Sequence, residues 1–232
     1  MLILFDIDGT LLLTRGAGIK AMSDAGRELF GDHFTVDGVE FSGRLDTLIY
    51  ADLARANAVA EAELHHDRFR AAYGRMLHER LQREPTAALL PGVRELVHQL
   101  AALDSVTLGL LTGNYPETGR LKISRAGLDP DLFPICAWGC EAPRRQDLPP
   151  VAIRRCAEIC GRNVGGPEVV IIGDTPHDIT CAQAHGCRSI GVATGAFSID
   201  DLRQAGADLA VSDLSNADAL VEWMLELPAA IE

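Results

Sequence analysis

The sequence predicts an α/β fold: an open parallel sheet with helices on both faces, and a helical insertion after the first strand. Short apolar runs rich in β-branched residues recur along the chain, and runs of that length suit strands buried on both faces. Segments with helical apolar spacing separate those runs. One long interval, from about Thr14 to Pro91, breaks the alternation and reads as helix throughout.

Taken in order, Leu2 to Phe5 is the first strand run and Val106 to Leu111 the second. Ile135 to Trp138 is a weaker third, Val169 to Ile172 the fourth, Ser189 to Ala193 the fifth and Leu209 to Val211 a short sixth. Helical segments such as Pro149–Gly161 and His177–His185 lie between them. In the long interval the apolar residues fall at three- and four-residue steps, as a helix face requires. Ile19, Met22, Leu29 and Phe30 form one stripe, and Leu45, Leu48, Ile49 and Leu53 a second. Phe69, Tyr73, Met76, Leu77 and Leu81 form the third. Hinges are expected at Thr14–Gly18 and Glu84–Gly92, after which a helix carrying Val93, Leu96, Val97 and Leu100 returns the chain to the core. The expected division is a core of residues 1–14 and 91–232 and a helical cap of residues 15–90.

Composition bounds the partners. A net charge of −12 over 232 residues argues against general affinity for nucleic acid or anionic membrane, while leaving room for a small anion in a local pocket. No apolar run approaches the length of a membrane span, and the first residues lack a basic stretch and a small-residue cleavage site. A cytoplasmic protein is the expectation. The six cysteines include two C-x3-C pairs, Cys136/Cys140 and Cys156/Cys160, which lack the usual knuckle spacing and are expected as reduced thiols.

In an open parallel sheet, ligands bind beyond the carboxyl ends of the strands, so the residues after each strand run matter most. Asp6 and Asp8 follow the first run, beside Gly9 and Thr10. Two close carboxylates can divide nucleophilic and proton-transfer work, and their repulsion predicts a cation between them. Thr112, Gly113 and Asn114 follow the second run, where a hydroxyl and free amides at a helix start can cradle phosphate or simply cap the helix. Arg144 and Arg145 follow the third, as a cation for a phosphoryl oxygen or as a solvated pair. Asp174 and Asp178 follow the fourth, and hard oxygen ligands without adjacent Cys or His suit Mg²⁺. Each segment alone has a dull explanation; four at consecutive strand ends do not.

The segments F-D-I-D-G-T-L, L-L-T-G-N, R-Q-D-L-P-P and I-I-G-D-T-P-H-D-I, in this order, resemble the haloacid dehalogenase superfamily, specifically its phosphatase branch with a helical cap. The resemblance implies a phosphoglycolate phosphatase-like enzyme that hydrolyses a small phosphorylated metabolite. It implies Asp6 as nucleophile, Asp8 as acid/base and Thr10 as the residue orienting Asp8. Mg²⁺ would sit on Asp6, Asp8 through its backbone carbonyl, and Asp174, with Asp178 arranging its waters. Thr112, Gly113 and Asn114 would bind phosphoryl oxygens. The family usually places Lys at the third motif, and none stands there; Lys122 lies earlier, on the helix after the second motif. Arg145 is the expected substitute, with Arg144 as fallback. In the cap, Arg44 is the candidate for a substrate carboxylate or phosphate, and the cap is expected to close over the substrate.

Three other readings compete. A founding-type dehalogenase would need neither Asp8 nor the Asp174/Asp178 pair. A β-phosphoglucomutase-like phosphomutase shares the D-x-D core and differs in the acceptor of the phosphoryl group. A non-catalytic binding protein on the same fold should have lost one of the acids. The chain could be a monomer or a homodimer.

Overall fold

A computed structural model of the protein describes residues 1–226. Six parallel strands form the main sheet: β1 (Leu2–Phe5), β4 (Thr107–Leu111), β5 (Ile135–Ala137), β6 (Val169–Gly173), β7 (Arg188–Val192) and β8 (Leu209–Val211). Their spatial order is β5-β4-β1-β6-β7-β8. β1 therefore lies between β4 and β6, with Phe5 in register with Leu110 on one side and Ile172 on the other.

Side chains alternate across a strand, and here both faces are buried, which explains the continuous apolar runs. Ile3, Phe5, Leu108, Leu110, Val170 and Ile172 pack on one face against α4 (Val93–Ala101) and α9 (Ala217–Leu225). Leu2, Leu4, Val169 and Ile171 pack on the other against α6 (Leu148–Cys160) and α7 (Pro176–Gln183). Each fully buried Leu, Ile or Phe stabilises the fold by about 1.5–3 kcal/mol. Two helices complete the core, α5 (Pro116–Arg125) after β4 and the short α8 (Ile199–Gln204) before β8.

The interval after the first strand folds as three helices: α1 (Ala17–Phe30), α2 (Asp46–Ala56) and α3 (Ala62–Arg83). They enclose their own apolar cluster around Met22, Phe34, Leu53, Phe69, Tyr73 and Leu77, which Tyr115 of the sheet side joins. The structure adds an element the sequence reading lacks. β2 (Leu12–Leu13) and β3 (Ala88–Leu89) pair antiparallel where the chain leaves and re-enters the core. Two residues are too few for any periodicity to register, so only the pairing itself defines these strands. Ile19 and Leu48, expected on buried stripes, are 40% and 37% exposed.

Candidate active site

Three adjacent central strands deliver the acidic and hydroxyl side chains to one edge of the sheet. Asp6 follows β1 and continues its ladder, its N–H donating to the Ile172 carbonyl at 2.9 Å. Thr112 follows β4, and Asp174 follows β6. Gly9 turns the chain after β1 at φ 81°, a left-handed conformation that favours glycine, and a Cβ there would lie 2.4 Å from the Asp174 carboxylate. The Gly between Asp8 and Thr10 thus lets the first and fourth strand ends approach.

Asp6, Asp174 and Asp178 each present a carboxylate oxygen within 4.8 Å of the others, and all three are buried. The Arg145 guanidinium stands among them, 2.6 Å from Asp178 and 3.1 Å from Asp6. Arg144 is on the surface, paired with Asp147 at 2.8 Å. Of the two arginines the structure brings Arg145 to the site. One cation against three buried carboxylates leaves charge uncompensated. Burial pushes Asp174 up to about 8, with Asp6 and Asp178 adding to it. Burial likewise pushes Asp6 up to about 6, against the pull of Arg145. A cluster of hard oxygen donors with surplus negative charge suits a divalent cation such as Mg²⁺. Asp178 is fixed from behind, its other oxygen accepting the Thr175 N–H at 3.1 Å and hydroxyl at 2.8 Å in a capping box at the start of α7.

Asp8 points elsewhere. Its carboxylate accepts from Lys122 Nζ at 2.6 Å and from Asn114 Nδ2 at 2.9 Å. Lys122 Nζ also donates to Asn114 Oδ1 at 2.6 Å, and the lysine is only 4% exposed. Sequence reasoning set Lys122 aside as too early. A local signal was present: Thr118 and Lys122 stand four residues apart, so α5 turns both to one face, and that face is buried. A buried lysine needs a partner, and Asp8 is it. Thr10, expected to orient Asp8, instead donates to Asp174 at 3.3 Å, because Asn114 and Lys122 already hold Asp8.

Thr112 is fully buried, and its hydroxyl oxygen accepts from Asn114 Nδ2 at 2.9 Å. Among the described residues no acceptor takes the Gly113 N–H. The Gly113 carbonyl accepts the Asp46 N–H at 2.8 Å, and a Cβ on Gly113 would lie 2.0 Å from the Arg44 carbonyl oxygen. Only glycine admits the insertion so close.

The insertion is docked on the sheet edge. Asp46 Oδ2 accepts the Tyr115 N–H at 2.9 Å, the Thr47 hydroxyl donates to the Gly139 carbonyl at 3.2 Å, and His66 Nε2 lies 2.8 Å from the Tyr115 hydroxyl. Arg145 donates to the Gly43 carbonyl at 3.4 Å. Arg44 lines the enclosed space, but its guanidinium is held by Asp52 at 2.6 Å. Between insertion and sheet lies a cavity of about 480 Å³, into which Asp6, Asp8, Thr112, Lys122, Arg145 and Asp174 face. The Asp6 and Asp174 carboxylates, a further carboxylate, Asp8, with its own cation, and the free Gly113 amide therefore share one pocket.

Among the described residues, no helix is long and apolar enough to cross a membrane. Curated relatives are a phosphoglycolate phosphatase from Neisseria meningitidis, 31% identical over 110 residues, and the Dickeya dadantii protein IndB, a probable phosphatase, 23% identical over 235 residues. The first alignment covers 47% of this chain and 45% of that relative, and the second 99% and 96%. A crystal structure of a hydrolase from Pseudomonas syringae superposes with a TM-score of 0.71 at 20% identity, covering 95% of this chain and 97% of that one. That likeness is one of fold. Residues 1–186 match the haloacid dehalogenase-like hydrolase family, and with the sheet and its acidic edge the chain belongs to that family.

Proposed function

We propose that the protein is a Mg²⁺-dependent phosphatase that hydrolyses a small-molecule phosphate monoester through a phospho-aspartyl intermediate on Asp6. The observation that carries this reading is the convergence of Asp6, Asp174 and Asp178, with Arg145 on Asp6 and Asp178, at a pocket that Asp6, Asp8, Arg145 and Asp174 line. The two named relatives support the phosphatase class, the first over less than half of its length.

The phosphoryl group binds between Arg145, the Thr112 hydroxyl and the amides of Gly113 and Asn114, which neutralise and orient its oxygens. An Asp6 oxygen attacks phosphorus in line, and the bond to the leaving oxygen breaks as the Asp6–phosphorus bond forms. Asp8 gives that oxygen a proton, then removes one from the water that attacks the aspartyl phosphate and frees Asp6. Lys122 and Asn114 hold the Asp8 carboxylate in one orientation for both steps. Asp6, the Asp8 backbone carbonyl and Asp174 would hold Mg²⁺ with Asp178 in support, and the bound ion supplies charge neutralisation at the phosphoryl group. The helical insertion, bounded at residues 15–90, closes the pocket against bulk water. The substrate is a small phosphorylated metabolite, and the cytoplasm is the setting.

A phosphate-release screen over metabolite monoesters tests the reading. Release with Mg²⁺, lost on chelation and restored by adding the ion back, is the expected result. It should need no sugar bisphosphate activator, which separates hydrolase from mutase. Activity that survives full chelation would overturn the mechanism.

A further inference from the structure

The cavity that Asp6, Thr112 and Arg145 face is also lined by Ile19, Met22, Phe41 and Ile49 of the insertion, with Leu13 of β2. Leu13 is 42% exposed and Ile19 40% exposed. Large apolar side chains left open in a concave wall mark a surface that a ligand covers.

The insertion also brings one carboxylate to the cavity, beside the Gly113 turn and within the field of Lys122 and Asp8. Asp46, at the start of α2, is 5% exposed and lines the cavity. Its Oδ2 takes the Tyr115 N–H, and no donor among the described residues reaches its other oxygen. The Asp46 oxygen that Tyr115 does not reach opens to the cavity, where a group that enters can donate to it. When ionised, the same group repels a second anion; Lys122 offsets it only in part, being held by Asp8 and Asn114, while Arg145 is held by Asp6 and Asp178 and Arg44 by Asp52. Arg15 also lines the cavity, but it is exposed, and solvent screens its charge.

Resting on the phosphatase reading, we propose that Asp46 and the apolar side chains lining the same cavity select a monoester by its leaving group. The preferred group is uncharged, presents an apolar face and offers a hydroxyl or N–H to Asp46. A leaving group bearing a carboxylate or second phosphate is turned away.

A matched pair of substrates tests this. 2-Hydroxyethyl phosphate and 2-phosphoglycolate differ only in a CH2OH in place of a carboxylate. 2-Hydroxy-2-phenylethyl phosphate adds an apolar face to the first. With Mg²⁺ present and the pH held at about 8.5, above the Asp46 value of about 7, kcat/KM should favour the hydroxyl ester over phosphoglycolate by about tenfold or more, and the phenyl derivative should rise above both. Asp46→Asn keeps the volume and an acceptor for Tyr115 while removing the charge, and should bring the first two within about threefold of each other. A ratio compares two substrates on one protein, so a general loss of folded enzyme cancels from it. Wild-type preference for phosphoglycolate, or a ratio unchanged in Asp46→Asn, overturns the inference and leaves the phosphatase reading standing. Absence of release from all three by enzyme that hydrolyses another monoester in the screen overturns the inference alone, whereas absence of release from every monoester overturns the phosphatase reading and this inference with it.

Discussion

The two walls of the cavity use their polar groups differently. On the sheet side nearly every charged group is engaged by another: Asp178 with Arg145 and Thr175, Asp8 with Lys122 and Asn114, Thr10 with Asp174. On the insertion side the wall is mostly apolar, Arg44 is turned to Asp52, and Asp46 keeps an oxygen free. Pre-engaged groups cost little to organise when the reaction occurs, which is what a chemical centre needs. Open apolar side chains and an unfilled acceptor are what a selective surface needs. The difference assigns bond-breaking to the sheet edge and discrimination to the insertion.

The strongest way to break that division is at Asp6. Asp6→Asn should lower phosphate release by at least about 10³-fold, because the nucleophile itself is lost. Its melting temperature should hold or rise, since a buried charge that Asp174 opposes is removed. A variant retaining a tenth of wild-type activity by the same assay would place the chemistry elsewhere.

Arg145→Ala should unfold more readily than any of the other variants considered. It leaves Asp178, fully buried, without its cation, a loss of about 3–5 kcal/mol by denaturant titration. A cost under about 1 kcal/mol would mean that the ion pair contributes little.

Lys122→Met tests the second carboxylate. With Asp8 left to Asn114 alone, kcat should fall about 10²-fold while KM changes little. In single turnovers that read only formation of the aspartyl phosphate, equal losses for alkyl monoesters and for p-nitrophenyl phosphate, whose leaving group needs no proton, would argue that Lys122 does not act through the acid step of Asp8.

The smallest effect concerns Asp46 and pH. Burial pushes its carboxyl up to about 7. The folded-state value lies above the unfolded one, so the contribution to stability is complete below the ordinary carboxylate range near ~3.9 and is lost as pH rises through about 7. Asp46→Asn removes that loss. The melting temperature of the variant relative to wild type should therefore climb between pH 5 and pH 8, and a flat difference across that window would show that Asp46 does not titrate in it.

Much of the fold was legible because continuous apolar runs and four-residue stripes are local patterns. The runs ending at Phe5, Leu111 and Ile172 lie within a residue of β1, β4 and β6 as observed, and the acids fall where those strands end. Asp6, Asp174 and Arg145 were readable for the same reason: each lies directly after a strand or at a helix start. The two-residue ladder of β2 and β3 was not, since nothing in so short a stretch repeats. Lys122 carried a local sign of burial, one helical turn after Thr118, but nothing local named its partner, Asp8, 114 residues away.

The sequence by itself determined the sheet, its helical insertion and the set of acids at the strand ends, because period and position along a strand are properties of neighbouring residues. Only the tertiary structure decided which of those groups touch. It put Lys122 on Asp8, Thr10 on Asp174, Arg44 on Asp52 and Asp46 on the Tyr115 amide. Contacts of that kind are chosen by competition for partners among elements far apart in the chain, and buried charges settle on whichever opposite group the packing brings within reach.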